Sequence, residues 1–262
     1  MNLVEFENTD GVLTIWLNRV DKRNAFDEEM ATQIIQGYSR AWDDEDVSVV
    51  VLRGRGPIFC AGGDIAWMSD VAGRSLDERE KNAKLIADVF KAIADFPQPT
   101  ISVVHGYVLG GAVGLMACND FVLATDTVQI ATSEAKLGIV PACLAPHLIN
   151  RIGGTQTRRM FLWAEMVEAE DALRIGLVDR LVSELEIESE LQKLVSQLSL
   201  TSSTARQTAK QLLIDLLEVE DSKRMDLSVK CLANSWSSPH GREGMKAFVE
   251  KRSPQWDVDG TE

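Results

Sequence analysis

The chain has 262 residues, 45% of them hydrophobic, and a formal net charge of −13 at pH 7. That length suits one domain with a sizeable core and room for a helical appendage. The acidic balance argues against nucleic acid or an anionic membrane as the main partner, since both need basic surface, and no apolar run reaches the ~18–20 residues of a spanning helix.

Residues 2–8 and 11–18 read as a hairpin turned at Asp10-Gly11. The strand-like start carries Glu5, Glu7 and Asp10, so no secretory or transit leader is expected and the protein is read as cytoplasmic. Asp27 predicts the N-cap of a helix running to about Trp42. Val47 to Arg53 reads as a buried strand, and a short helix follows Asp64. A longer helix is predicted from Asp77, with Leu85, Ile86, Val89, Phe90 and Ile93 on one face and Pro97 and Pro99 ending it. Strand 100–104, a Gly-Gly turn, a short helix and a strand from Phe121 to Ala124 follow. From Pro141 the pattern is helical apart from Val178 to Val182. Leu191, Leu194, Val195 and Leu198 form one apolar stripe and Leu212, Leu213, Leu216 and Leu217 another, each facing a core or a partner. Alternating strands and helices imply a layered, mostly parallel α/β core. A composition break near Ser183 divides the chain into residues 1–182 and 183–262.

Two segments carry the chemistry: Phe59-Cys60-Ala61-Gly62-Gly63-Asp64-Ile65 and Tyr107-Val108-Leu109-Gly110-Gly111-Ala112-Val113-Gly114. Each follows a strand-like run and opens a helix. Taken singly, such glycine pairs are ordinary strand-to-helix turns. Neither continues into Gly-Lys-Ser/Thr and neither fits G-x-G-x-x-G, so a P-loop or a dinucleotide fingerprint is not expected. Helix starts leave unpaired N–H groups with partial positive charge, and glycine lets a ligand approach them closely. Two such ends can stabilise one developing oxyanion, as acyl chemistry requires. Glu134 follows as a candidate acid. The four cysteines, Cys60, Cys118, Cys143 and Cys231, lack metal-ligand spacing, so no metal site is expected and they read as reduced, small hydrophobes.

At these residues the chain resembles the enoyl-CoA hydratase/isomerase (crotonase) superfamily. The likeness runs in order through Leu17-Asn18-Arg19 and Asp21-Lys22-Arg23-Asn24-Ala25-Phe26, Phe59 to Met68, Pro99 to Asp120, Ser133-Glu134-Ala135-Lys136-Leu137-Gly138-Ile139-Val140-Pro141, and Asp171 to Asp179. The resemblance implies an α/β spiral of ββα units with a C-terminal helical part that builds trimers or dimers of trimers. It implies an acyl-CoA substrate, with coenzyme A as part of that substrate rather than a separate cofactor.

Carried over residue by residue, the oxyanion donors are the amides of Gly63 and Gly111, and the acid/base is Glu134. A second glutamate of the family pattern maps onto Gly114, so this chain lacks it, and Gly114 is expected to leave room for an acyl branch. Lys22, Arg23 and Ala25 map to the coenzyme A segment, with Ala61, Asp64 and Ile65 on the first oxyanion loop. As residues alone, Lys22 and Arg23 read as solvated loop charges. Trp67, Met68, Gly114, Cys143, Leu144 and His147 are expected to line the acyl pocket. His147 or Arg151 would meet a distal carboxylate, although His147 alone reads equally as a structural loop residue. Phe248 and Lys251, with Lys246, resemble positions that reach a neighbour's coenzyme A. His105 reads as a packed turn residue and His240 as a helix cap.

Gly110 to Leu115, Ser133 to Ala142, Pro146 and the tail Glu250-Lys251-Arg252 with Pro254 and Trp256 are similar to bacterial methylglutaconyl-CoA hydratases. The implied activity is hydration of short or branched enoyl-CoA thioesters, including glutaconyl-type ones, in fatty-acid or branched-chain catabolism. A Δ3,Δ2-enoyl-CoA isomerase using the same glutamate, a hydrolase or decarboxylase of the superfamily, and a non-catalytic acyl-CoA-binding protein remain the alternatives.

Overall fold

The computed structural model describes residues 2–256. The chain forms two compact units, Met1–Gln192 and Lys193–Glu262. In the first, six strands form one sheet in the order β1-β2-β3-β4-β6-β9: β1 Val4–Thr9, β2 Val12–Leu17, β3 Val49–Gly54, β4 Thr100–Val104, β6 Phe121–Thr125 and β9 Arg180–Val182. Only the β1–β2 hairpin is antiparallel. Asp10 and Gly11 both take positive φ, 52° and 79°, which matches the twist of a two-residue hairpin turn. All residues of β4, and all but Arg53 of β3, are buried, as strands covered on both faces require.

A second, three-stranded sheet of β5 Tyr107–Leu109, β7 Gln129–Ala131 and β8 Val167–Glu168 is new relative to the sequence reading. Its strands are two or three residues long, too short for alternation to register.

The helices of this unit are α1 Glu28–Trp42, α2 Ile65–Ala72, α3 Leu76–Ala94, α4 Gly111–Ala117, α5 Ala145–Trp163 and α6 Ala169–Arg174. Asp27 caps α1 by accepting from the Met30 amide. Helix α3 starts earlier than Asp77 because Ser75 and Glu78 form a reciprocal capping box. Helix α5 kinks at Gly153 (φ 74°). Ile34, Tyr38, Leu52, Phe90, Ile93, Phe96, Leu115 and Met116 are among the fully buried side chains of the core.

Helix α7, Ile187–Ser199, runs across the division between the units. The second unit holds α8 Ser203–Glu218, α9 Asp221–Ser237 and α10 Pro239–Glu250. Ser202 and Ser238 cap α8 and α10. His240 is therefore not the cap. It lies in the first turn of α10, with Nδ1 2.8 Å from Ser202 Oγ. Leu213 and Leu217 on α8 and Met225, Val229, Leu232 and Trp236 on α9 are exposed.

Candidate active site

Phe26 joins the two glycine loops. Its backbone forms a parallel bridge with Gly63: the Phe26 amide donates to Gly62 O and the Asp64 amide donates to Phe26 O, both at 2.9 Å. In parallel pairing, the residue bracketed by those two bonds turns its own amide to the opposite side, so the Gly63 N–H points away from Phe26. The Phe26 ring lies against the second loop, 2.8 Å from where a Cβ at Gly111 would stand. Gly111 opens α4 and, as its first residue, has no intrahelical acceptor. Gly62 (φ +93°) packs so closely that a Cβ there would lie 2.6 Å from Leu109 O and 3.4 Å from Gly111 N. Only glycine fits that approach. Among the described residues, neither the Gly63 nor the Gly111 amide has a hydrogen-bond acceptor.

Asn24 and Arg19 hold this arrangement. Asn24 is fully buried with φ 55°. Its Nδ2 donates to Arg55 O, Ile58 O and Phe59 O, and its Oδ1 accepts from the Arg19 amide. The Cys60 thiol donates to Asn24 O at 2.9 Å, and burial pushes its pKa up to about 12, so it stays protonated. Arg19 bridges the caps of two helices, pairing with Asp27 at 3.0 Å and Asp64 at 2.8 Å. Asp64 in turn caps α2 by accepting from Ala66 and Trp67. Burial alone would raise its pKa, but those amides and Arg19 hold it below the usual carboxylate value. The Asp64 carboxylate thus pairs with Arg19 and two amides.

Glu134 opens the 3-10 turn Glu134–Leu137 and is 9% exposed. Its Oε1 would lie 3.3 Å from a Cβ at Gly110, the N-cap of α4, so the carboxyl group rests on the residue next to Gly111. Gly110 has φ +54°, a conformation that favours glycine, and a Cβ there would press on the carboxyl group. Burial raises the Glu134 pKa, and its own backbone N–H offsets part of that rise. Oε2 is buried without a hydrogen-bond partner among the described residues, as is Trp67 Nε1. A buried carboxylate oxygen without a partner is costly and calls for an explanation.

The other expected residues divide. Lys22 and Arg23 are exposed, and Arg23 turns the chain with φ 54°. Ala25 O accepts from Arg19. Ile65 is exposed; Ala61, Trp67 and Met68 are partly buried, with Met68 Sδ 3.0 Å from a Cβ position at Gly63. Leu144 is buried, and Cys143 is half-buried with its thiol 3.5 Å from Ala83 O. His147 meets Phe90 edge-on at 6.0 Å. Burial lowers the His147 pKa, with Asp95 opposing and Lys91 adding to the effect.

Two expectations are corrected. The room expected beside Gly114 is filled by the Phe90 ring, 2.4 Å from where a Cβ would stand. Arg151 does not face a ligand: it donates to Leu177 O and Asn119 O, both at 2.9 Å, and pairs with Asp179. In the second unit, Phe248 is exposed and Lys251 ends α10 with φ 54°. Among the described residues, no cluster of three or more His, Cys, Asp or Glu could hold a metal ion.

Known proteins resemble this chain in sequence and in fold. The crotonyl-CoA hydratase of Syntrophomonas wolfei is 27% identical over 248 residues, covering 94% of each chain. The crystal structure of an enoyl-CoA hydratase from Shewanella pealeana matches with a TM-score of 0.92 at 32% identity, over 97% of this chain and 96% of that one. Pseudomonas aeruginosa AtuE matches with a TM-score of 0.92 at 33% identity, over 97% of this chain and 99% of its own. The sequence matches the enoyl-CoA hydratase/isomerase family over residues 7–259, and the chain belongs to that family.

Proposed function

We propose that this chain hydrates short enoyl-CoA thioesters with Glu134 as its single acid/base. The observation that carries the reading is the Glu134 carboxyl group, buried, with Oε2 unpartnered and its side chain resting on Gly110 beside the Gly111 amide. The thioester oxygen accepts from the Gly63 and Gly111 amides. As the Glu134 carboxylate takes a proton from a held water, the water oxygen bonds to the β-carbon and the C=C electrons move onto the thioester oxygen. The two amides stabilise that enolate, each contributing ~10²–10³ in rate. The enolate then takes the proton from Glu134 at the α-carbon, which restores the carboxylate. The raised pKa of Glu134 suits a group that gives and takes one proton near neutral pH.

Lys22 and Arg23, exposed at the loop that holds Phe26, are the cations placed to meet coenzyme A phosphates. A distal carboxylate finds no partner in Arg151, which leaves His147 as the residue to meet one. The exposed apolar side chains of α8 and α9 support self-association as a trimer or a dimer of trimers. The reading places the protein in the cytoplasm; among the described residues, no helix is long and apolar enough to cross a membrane.

The test is the ultraviolet band of the conjugated enoyl thioester with crotonyl-CoA. Hydration removes the band, and Glu134→Gln is expected to slow that loss by ~10²–10⁴. Formation of the band from a Δ3-enoyl-CoA, without hydration, makes the protein the isomerase. Tight acyl-CoA binding with no turnover, indifferent to Glu134→Gln, makes it a binding protein.

A further inference from the structure

Gly114 lies one turn along α4 from Gly111, on the helix that carries one candidate oxyanion amide and whose N-cap supports Glu134. A Cβ at 114 would stand 2.4, 2.7 and 2.9 Å from three atoms of the Phe90 ring. Real Cβ contacts do not come that close, and here the obstacle is a rigid ring rather than the end of a flexible chain. Phe90 comes from α3, is 1% exposed, and is backed by His147. The glycine and the phenyl group form one unit: the side chain lost at 114 is replaced by one arriving from another helix.

We propose that Phe90 is the specificity-determining residue of this site, closing it against a methyl branch at the β-carbon and so selecting straight-chain short enoyl groups. This rests on the hydratase reading for its substrate class. With the thioester oxygen at Gly111, Gly114 is one helical turn further along α4, and the Phe90 ring stands where its side chain would be. One surplus methyl against a packed apolar wall is worth ~10–200-fold in discrimination. Because cores resist overpacking, the ring cannot give way without displacing its neighbours.

Two measurements test this. In turnover, wild type is expected to favour crotonyl-CoA over 3-methylcrotonyl-CoA in kcat/KM, and Phe90→Ala to shrink that preference at least tenfold. In binding, calorimetry with butyryl-CoA and 3-methylbutyryl-CoA is expected to show the same relaxation without any chemistry. Phe90→Leu, which keeps more of the core filled, is expected to shift both ratios in the same direction and reads the effect should Phe90→Ala not fold. Unchanged ratios in a folded Phe90 variant overturn the proposal. A shifted binding ratio in a protein that hydrates neither enoyl-CoA sustains the role of Phe90 and removes the hydratase reading.

Discussion

Asn24 ties the loop that carries Phe26 to the segment leading into the first glycine pair, and its replacement gives a quantitative test. Its side chain makes four hydrogen bonds, to the Arg19 amide and to three carbonyls at 55, 58 and 59, with lengths of 2.8–3.1 Å. At ~1 kcal/mol net for each buried bond, Asn24→Ala loses ~4 kcal/mol. The left-handed backbone at this position adds to the loss for alanine. For a unit of this size, that corresponds to a fall in Tm of ~8–16 °C. Asn24→Asp separates shape from donor capacity. Aspartate tolerates the positive φ and keeps the acceptor for Arg19, but it sets an oxygen against three carbonyl oxygens. It too should destabilise strongly at neutral pH. Its carboxyl pKa in the folded state must rise, so the loss should be smaller in mild acid, where the protonated group can donate, and should grow as pH rises through that pKa. Thermal melts of the wild type and both variants, at mildly acidic and at neutral pH, give the numbers. Refutation would be an Asn24→Ala melt within about 2 °C of wild type, because the loops would then hold their places without the buried amide.

Glu134→Gln should raise Tm near neutral pH while it lowers turnover. Burial lifts the folded pKa of Glu134 above its unfolded value, so the favourable contribution of the protonated acid is complete below ~4.3 and lost as pH rises through the folded pKa. The advantage of glutamine should therefore open with rising pH and vanish in acid, and melts at several pH values that show equal stability throughout would contradict it. Gly63→Ala should leave kcat within about threefold and Tm within about 2 °C, because the new Cβ meets only the flexible end of Met68, at 3.0 Å, and the amide remains in place. A loss beyond tenfold would mean that Gly63 needs the absence of a side chain for reasons other than Met68.

What could be read from sequence followed from local physics. Asp27 caps α1 as expected, because an aspartate before an amphipathic run has one obvious partner, the Met30 amide. Strands β3 and β4 announced themselves as unbroken apolar runs. The two glycine pairs stand in short, contiguous motifs, and the role expected of Glu134 comes from the family resemblance of its segment. The residues that escaped work across distance. Phe90 was legible only as one member of an α3 stripe; that its ring fills the space at Gly114 is a tertiary fact. Arg151 near a motif looked available to a ligand, yet its partners, Asn119, Leu177 and Asp179, come from other elements. Asp64 caps α2 and pairs with Arg19, a partner that sequence does not reveal. Asn24, fully buried on a loop, gave no outward sign of its four bonds. Ser75 and Glu78 form a capping box by short-range spacing, and it sets the start of α3 ahead of Asp77.

Phe26 has a consequence of its own. One residue sets both amides: its peptide group fixes the Gly63 strand and its ring bears on Gly111. A displacement of Phe26 would therefore reach both nitrogens at once. Like the jaws of a caliper riding on a common beam, the pair takes its gauge from a single part.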